Sequence, residues 1–446
     1  MSNTSKKNEI IILEEYKQVE KMIQDKVPLI FVTGGAGTGK STFIHHLSTK
    51  YNGRLLKSAP TGIAAINISG KTIHSLFRLA PKLLDKKDIE VLPAKQIALY
   101  RNADVFVIDE ISMVTSNMLD AVDIFLRKNL NTPRPFGGKT VVIVGDLFQL
   151  PPVVSGAMAE FYYQMYTTAY FFGSRVMKQI NFEFIELQKV RRQNDQTFID
   201  ILSDIRLGLN IKERLQQINT KCRIQSEPDD GAVVLSPRNA EVDARNQREL
   251  RRIRGVDEFS YDGVISGKYK SDRLPSPMFL DLKIGAQVQF TRNNPEMDVV
   301  NGTVGRVIKL NQEVVTVQLR DGTVCMVTPV EWEEYDYKFN AYKNAIESVV
   351  IGSFKQMPLK LAWASTIHKA QGQTLDKVHL DLGGGCFTTG QAYVALSRCT
   401  SLEGLTLSRA ITEEDVQVDE MITQFYTDCR NGDQNFEKTE LDTLFG

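Results

Sequence analysis

The sequence lacks the features that mark secreted, zinc-binding and membrane-spanning proteins. Its five cysteines include no CxxC pair and no spacing typical of metal ligands. No apolar run approaches the ~20 residues that a spanning helix requires, and the apolar run near the N-terminus is too short for a signal peptide. We therefore expect no membrane association and a reducing compartment: the bacterial cytosol or, in a eukaryote, the nucleus or mitochondrion.

The chain also lacks net charge, because 54 basic residues balance 54 acidic ones. A field from the whole chain would not attract a polyanion, so any nucleic-acid partner would have to meet a local patch. Repeats and low-complexity tracts are absent as well. At about 100–200 residues per domain, the length of 446 residues predicts two to four domains.

Short continuous apolar runs indicate a parallel sheet in the first part of the chain. Leu29–Val32, Val105–Ile108 and Val141–Val144 are typical of strands buried on both faces. Helical spacing follows, for example over Met118–Lys128. This alternation predicts an α/β domain over roughly residues 10–180.

The second part of the chain has a different pattern. Residues 77–102 are charged and irregular, which suggests an insertion, and residues 195–225 have helical patterning. Dense Gly, Asn and Pro turn signals over 255–342 predict a small antiparallel β-barrel. We expect it to interrupt a second α/β domain that resumes with a strand at Leu359–Ala364.

A phosphate-binding motif lies directly after the first predicted strand. Gly34–Ser41 matches GxxxxGK[ST] and precedes the apolar helical run Phe43–Leu47. Glycines let successive backbone N–H groups point at phosphate oxygens, and the helix that follows directs its positive end to the same anions. Lys40 can reach the β- and γ-phosphates, and the Ser41 hydroxyl is placed to bind Mg²⁺.

Carboxylates and an amide follow the other two predicted strands. Asp109 would hold Mg²⁺ through water, and Glu110 would orient or deprotonate the attacking water. Gln149 could hydrogen-bond the γ-phosphate or that water. The alternative for Gln149 is a surface loop stiffened by the prolines that follow it.

Phosphoryl transfer also needs positive charge against its transition state, usually from arginine. Arg192 in a basic run and Arg398 on an otherwise apolar helix are the candidates. The alternatives are a solvated face for Arg192 and a buried salt bridge for Arg398.

In this order, these segments resemble the Pif-type (petite integration frequency) DNA helicases, 5′-to-3′ members of helicase superfamily one. The resemblance extends from about Leu13 to Leu407. The matching blocks are Gly34–Thr42, Ala59–Ala65, Lys71–Phe77, Asp109–Met113, Gly145–Pro152, Ser365–Thr374 and Ala392–Arg398.

The resemblance implies an α/β fold of two RecA-like P-loop domains that clamp ATP between them. The first carries a small wedge insertion, and the second carries an SH3-like β-barrel insertion. The implied boundaries are 1–185 for the first domain with the wedge at about 77–102, 186–254 for the first part of the second, 255–345 for the β insertion, and 346–446 for the remainder and tail.

The resemblance also implies a role for each matching residue. The catalytic residues are Lys40, Asp109, Glu110, Gln149 as γ-phosphate sensor, and Arg192 and Arg398 as arginine fingers, with Arg191 the alternative to Arg192. ATP is bound by Gln18, which reads adenine, by Gly34, Gly35, Ala36, Gly37, Thr38, Gly39, Lys40, Ser41 and Thr42, and by Gly372; Ser41 and Asp109 hold Mg²⁺. Single-stranded DNA is contacted by Pro60, Thr61, Gly62, His74, Thr366 and His368.

The implied activity is ATP-driven 5′-to-3′ translocation on single-stranded DNA with unwinding of forked or tailed duplexes, and G-quadruplex DNA is a further candidate substrate. It would serve replication, repair, recombination or telomere-type maintenance. We expect a helicase core acting as a monomer, with ATP and Mg²⁺. Two alternatives stay open: a RecD-type subunit of a recombination complex, and an ATP-gated DNA-binding switch that does not unwind.

Overall fold

The computed structural model of the chain describes residues 13–154, 158–190, 192–193, 195–256, 258–269, 271, 274–294, 296–340 and 345–432. The helices of these ranges are too short or too polar to traverse a lipid bilayer. They are α1 Glu14–Gln24, α2 Lys40–Lys50, α3 Gly62–Asn67, α4 Ile73–Leu76, α5 Ala94–Asn102, α6 Ser116–Leu130, α7 Met158–Met165, α8 Arg175–Gln179, α9 Gln196–Leu207, α10 Ile211–Lys221, α11 Asn239–Arg252, α12 Gln391–Leu396 and α13 Glu420–Asn431.

The strands form two parallel sheets and a group of antiparallel ones. They are β1 Leu29–Thr33, β2 Leu55–Ala59, β3 Lys71–Thr72, β4 Val105–Ile108, β5 Thr140–Gly145, β6 Glu183–Glu186, β7 Arg223–Ile224, β8 Val233–Ser236, β9 Glu258–Asp262, β10 Val264–Gly267, β11 Phe279–Lys283, β12 Gln287–Phe290, β13 Val304–Leu310, β14 Val315–Leu319, β15 Val324–Val327, β16 Val330–Asn340, β17 Ala345–Gln356, β18 Leu359–Leu361, β19 Ala364–Thr366, β20 Val378–Leu380 and β21 Leu405–Leu407.

The first lobe is built on a six-stranded sheet of order β3-β2-β4-β5-β1-β6, with α1–α8 around it. Its paired strands are all parallel. Side chains alternate between faces along β1: Phe31 packs into the large core shared with the second lobe, and Ile30 packs beneath α1 and α2. The three strands predicted from apolar runs are thus confirmed, and they are adjacent in the order β4-β5-β1.

The second lobe contains a smaller parallel sheet of order β19-β8-β20-β21-β7 and the helices α9–α12. The predicted helical stretch 195–225 consists of two helices, α9 and α10, and ends in the short strand β7. Gly208, whose φ of 72° is left-handed, terminates α9. Two parallel sheets with flanking helices confirm the predicted α/β class.

An antiparallel β-rich segment lies between β8 and β19. Five strands in the order β15-β14-β13-β12-β18 enclose a separate apolar core that includes Val288, Val315 and Leu359. The predicted strand Leu359–Ala364 is wrong as a single element. Its first half, β18, pairs antiparallel with β12, and its second half, β19, pairs parallel with β8.

The long hairpin β16–β17 extends from this segment across the predicted boundary at 345/346. It contacts the first lobe through α5. Lys71 of β3 also donates to the Asp336 carboxylate of β16, with 2.5 Å between Nζ and Oδ1. The stretch 77–102, expected to be irregular, contains α5 and contributes Leu84 and Tyr100 to the first-lobe core.

The C-terminal helix α13 follows the second lobe in the chain but packs on the first. Phe425 stacks on Phe172 with ring centroids 4.2 Å apart and planes inclined by 12°. Just before the helix, Asp419 accepts a hydrogen bond from the Tyr170 hydroxyl at 2.9 Å. The end of the described chain thus connects the two lobes.

Phe425→Ala should destabilise the protein, because it removes a buried ring from an aromatic cluster and leaves a cavity. We expect a loss of about 3–5 kcal/mol in the free energy of unfolding, measured by denaturant titration. Met421→Ala is the matched control, since Met421 lies on the same helix and is 45% exposed. Equal losses in the two variants would contradict this packing.

Candidate active site

The phosphate loop connects β1 to α2 at the carboxyl edge of the first sheet. Gly37 and Gly39 have φ of 80° and 93°, which only glycine adopts without strain. The loop is also closely approached: a β-carbon at Gly37 would lie 2.6 Å from the Cβ of Arg192. Glycine is therefore required here both by the turn and by a neighbour from the segment that links β6 to α9.

Lys40 is the first residue of α2, and its side chain folds over the loop. Its Nζ donates to the carbonyl oxygens of Gly34 at 2.7 Å and Gly35 at 2.9 Å. Burial lowers the pKa of Lys40, while the nearby carboxylates of Asp146 and Glu110 act to raise it. The ammonium group is held where phosphates at the loop would meet it.

Ser41 and Asp109, the residues predicted to hold Mg²⁺, both lie at this edge of the sheet. Ser41 is an exposed residue in the first turn of α2, and Asp109 follows β4. Burial raises the pKa of Asp109 to about 7, and the charge of Glu110 adds to the shift. Among the described residues no group of three or more His, Cys, Asp or Glu could hold a metal ion by itself. One hydroxyl and one carboxylate fit Mg²⁺, which nucleotide sites bind with few protein ligands and with phosphate oxygens.

Glu110 contacts the second lobe through Gln371. The Gln371 amide nitrogen donates to Glu110 Oε2 at 3.1 Å and to Gln149 Oε1 at 3.0 Å. Burial raises the pKa of Glu110, although the positive charges of Lys40 and Arg398 act to lower it. The expected water-activating carboxylate and the expected γ-phosphate sensor are thus joined by one side chain from across the cleft.

Three cations from different parts of the fold converge at this site. Lys40 belongs to the first lobe, Arg398 follows α12 of the second, and Arg192 lies on the connecting segment. Their charges interact with one another or with Glu110. Within the described ranges none of the three forms an ion pair. A buried cation that lacks a directly paired carboxylate favours the entry of an anion, so this arrangement is suited to phosphates.

Arg398 is 1% exposed. Its guanidinium donates to the Val394 carbonyl at 2.9 Å, to the Gln373 carbonyl at 3.3 Å and to Ser397 Oγ at 2.8 Å. Burial lowers the pKa of Arg398 to about 9, and the charge of Arg192 contributes. A buried salt bridge, the alternative expected for this residue, is not formed with any described carboxylate.

Arg192 is half-buried rather than solvated. Its guanidinium makes long contacts with the Ser397 carbonyl at 3.4 Å and the Gly372 carbonyl at 3.5 Å. Gly372 itself is exposed and has a left-handed φ of 78°. Arg191, the alternative candidate, lies outside the described residues.

A hydrogen-bonded chain that the sequence did not indicate connects the loop to the second lobe. The Ala36 N–H donates to Tyr393 Oη at 2.7 Å, and Tyr393 Oη donates to Asp146 Oδ2 at 3.0 Å. The other carboxylate oxygen of Asp146 accepts from Arg206 Nε at 2.9 Å. Arg206 also lies over the Phe148 ring, 4.7 Å from its centroid.

Two of these residues had weak signals in the sequence. Asp146 comes just after the apolar run that predicts β5. Tyr393 lies in a matched block, but its apolar neighbours favour a role in the core. Arg206 had no signal, because one arginine among 54 basic residues is not distinctive. Gln371 also lies in a matched block without an assigned role.

The residues expected to contact DNA lie at the ends of strands in both lobes. Pro60, Thr61 and Gly62 follow β2 and are half-buried. Thr61 Oγ1 accepts from the Ala64 N–H and caps α3. A hydroxyl that accepts in this way still carries a proton that it can donate to a phosphate.

His74 lies in α4, and Thr366 ends β19, where its Oγ1 accepts from the Lys369 N–H at 3.3 Å. His368 is exposed and stacks on Phe387, with centroids 6.3 Å apart and planes inclined by 16°. Phe387 is 58% exposed and was not predicted to belong to the site.

Gln18 lies on the exposed side of α1. The helix contacts the loop through Tyr16 instead, whose hydroxyl donates to the Gly39 carbonyl at 3.3 Å. The structure places α1 beside the loop, and the reading of adenine by Gln18 stays a prediction.

Comparison with known proteins identifies relatives over most of the chain. A family profile described as PIF1-like helicase matches residues 11–216. The ATP-dependent DNA helicase Pif1 of Bdellovibrio bacteriovorus is 31% identical over 89% of this chain and 88% of its own length. The ATP-dependent DNA helicase PIF1 of Emericella nidulans is 33% identical over 92% of this chain, which spans only 62% of that relative's length.

Solved structures of a Bacteroides sp. Pif1 are similar in fold. The complex with ADP-AlF4 is 34% identical, with a TM-score of 0.87 over 95% of this chain and 98% of that one. The single-stranded DNA complex of the same relative, also 34% identical, gives a TM-score of 0.68 over 95% and 98%.

The two parallel sheets are accordingly those of two RecA-like domains, and the phosphate loop lies where they meet. Sequence and structure agree over nearly the whole length of the bacterial relatives. The chain belongs to the PIF1-like helicase family.

Proposed function

We propose that this protein is an ATP-dependent DNA helicase that translocates 5′ to 3′ on single-stranded DNA and separates duplex strands. The observation that carries the proposal is the convergence of Lys40, Arg192 and Arg398 on the phosphate loop, where none of them has an ion-pair partner among the described residues. A polyanion bound by both lobes would neutralise this charge and draw the lobes together.

The geometry suggests how ATP hydrolysis would proceed. The loop amides and Lys40 bind the phosphates, and Ser41 and Asp109 would hold Mg²⁺, which neutralises charge on the phosphate oxygens when bound. Glu110 would orient or deprotonate the attacking water, and Gln371 holds its carboxylate beside Gln149. Arg192 and Arg398 stabilise the charge that develops on the transferred group.

Cleavage would weaken the attraction between the lobes and so reopen the cleft. Gln371 belongs to the segment that also carries Thr366 and His368, two of the residues expected to contact DNA. A change at the γ-phosphate therefore has a short path to the DNA-facing surface. Alternate gripping by the two lobes would then advance the protein along the strand.

The DNA-facing residues suit a strand held without regard to sequence. Threonine hydroxyls and backbone N–H groups bind phosphates without reading bases. The exposed ring of Phe387, stacked on His368, offers a face for a base, and aromatic stacking of this kind tolerates any sequence. These contacts require little net charge, which reconciles a neutral chain with a polyanionic substrate.

The relatives support the same function. The named helicases are ATP-dependent, and the Bacteroides protein has been solved with ADP-AlF4 and with single-stranded DNA. This chain is closer to the former complex than to the latter, with TM-scores of 0.87 and 0.68. We infer that DNA binding rearranges the parts of the fold.

Other features of the proposal depend on the same resemblance. We assign the wedge to the region of α5 and the SH3-like insertion to the antiparallel segment around β12–β15. The five cysteines are all free and buried, which suits the reducing compartment proposed for the protein. Monomeric action, forked or tailed duplexes as substrates and a role in genome maintenance belong to the proposal as well.

The central test is strand separation on tailed duplexes. We expect unwinding with ATP only when the single-stranded tail is 5′, and ATP turnover that single-stranded DNA stimulates. Stimulated turnover without separation would favour the ATP-gated switch. Unwinding that requires added partner chains would favour a RecD-type subunit. An ATP turnover rate that single-stranded DNA does not change would contradict all three hypotheses.

Lys40→Ala should abolish ATP turnover, lowering it at least about 100-fold, because it removes a cation that faces the phosphates. Weak binding of single-stranded DNA should persist, measured by fluorescence anisotropy. Lys212→Ala, an exposed lysine on α10, is the control. Normal turnover in Lys40→Ala would refute the site.

Arg398→Ala should lower kcat by about 10³-fold while the KM for ATP changes little, because an arginine finger acts mainly on the transition state. Arg251→Ala, an exposed arginine on α11, is the matched control. A collapse of ATP affinity together with a lowered melting temperature would instead indicate a structural role for Arg398.

A further inference from the structure

The hydroxyl of Tyr393 is placed between the phosphate loop and Asp146. It accepts the Ala36 N–H at 2.7 Å and donates to Asp146 Oδ2 at 3.0 Å. Tyr393 is 3% exposed, so solvent contributes little to these bonds. A backbone amide of the phosphate loop is thus bound by a side chain from the other lobe.

The direction of these two hydrogen bonds is fixed. A carboxylate only accepts, so the single hydroxyl proton points to Asp146 and a lone pair is left for Ala36. Burial raises the pKa of Tyr393, which keeps the hydroxyl protonated. Asp146 cannot turn away, because its other oxygen accepts from Arg206 and it is fully buried.

Tyr393 and Arg398 belong to one short segment, and a hydrogen bond within it joins Arg398 to α12. Tyr393 lies within α12, Arg398 follows the helix, and Arg398 Nε donates to the Val394 carbonyl of the same helix at 2.9 Å. A displacement of α12 relative to the phosphate loop would therefore carry the guanidinium with it.

The contact with the loop is close. A β-carbon at Gly35 would lie 3.4 Å from Tyr393 Oη. The hydroxyl thus fits against a part of the loop that has no side chain. Removing this one oxygen would remove the only hydrogen bond from α12 to the loop among the described residues.

We propose that Tyr393 is a positioning residue for ATP hydrolysis: its hydroxyl docks α12 on the phosphate loop and thereby places Arg398 against the phosphates. The inference rests on the proposed ATPase function. It assigns to Tyr393 no contact with the reacting atoms, and it explains why a tyrosine hydroxyl is buried at this position of α12.

The first test is Tyr393→Phe, which keeps the ring and removes the hydroxyl. We expect kcat to fall about tenfold, as for the loss of one buried hydrogen bond, while the KM for ATP stays within about twofold. Tyr261→Phe is the control, because Tyr261 Oη donates to the Asn311 carbonyl at 2.7 Å in the antiparallel segment, away from the site. A lowered melting temperature with unchanged kcat would overturn the proposal and leave Tyr393 a structural residue.

The second test asks whether Tyr393 acts through Arg398. In the Tyr393→Phe/Arg398→Ala variant we expect turnover no lower than in Arg398→Ala alone, because the residue being positioned is gone. Independent effects that multiply in the double variant would overturn the proposal.

A binding measurement separates this inference from the proposed function. Titration calorimetry measures the affinity for ADP with aluminium fluoride and for ADP alone. The difference between the two affinities reports the contact that Arg398 makes with the fluoride group, and it requires no turnover. We expect Tyr393→Phe to raise the dissociation constant of ADP with aluminium fluoride about tenfold. The dissociation constant of ADP alone should change by no more than about twofold. Equal effects on both ligands would overturn the inference, whereas a wild-type protein that binds both ligands and hydrolyses ATP but separates no DNA strands would overturn only the proposed helicase function.

Discussion

Three cations, none in an ion pair with a described carboxylate, are the constraint around which the two lobes are arranged. Lys40, Arg192 and Arg398 approach one site from three parts of the chain, and desolvation lowers the pKa of each. Elsewhere in the cleft the chain does neutralise a buried cation, since Arg206 is paired with Asp146. The contrast supports a role for the three in binding a ligand, because an anion that enters the cleft would supply the missing partner.

This arrangement connects chemistry to movement through few atoms. Gln371 contacts both Glu110 and Gln149, and the same segment begins at Thr366 and passes through His368 on the proposed DNA face. The nucleotide and the strand are thus proposed to bind opposite parts of one short stretch of backbone. Coupling between the nucleotide and the DNA strand then needs no long pathway through the fold. It needs only a contact between the lobes that depends on the γ-phosphate.

The sequence predicted the parts of the site that depend on local order. The phosphate loop, Asp109 and Glu110 each follow a buried strand, and their positions at one sheet edge result from parallel pairing alone. Arg206 and α13 were not predictable, because their roles come from contacts across the fold. Leu359–Ala364 was misread for a related reason: continuous apolarity gives no sign that the chain leaves one sheet and enters another between Leu361 and Ala364.

Buried polar groups that were not predicted share a physical role. Tyr393 and Arg206 each donate to Asp146, and Tyr426 and Glu186 extend the chain towards α13. Breaking one of these bonds would leave a further polar group unpaired in a low-dielectric interior, which is costly. These bonds run from Ala36 of the phosphate loop to the helix that packs on the first lobe. A disturbance of the loop would therefore reach both α12 and α13 through this chain of hydrogen bonds.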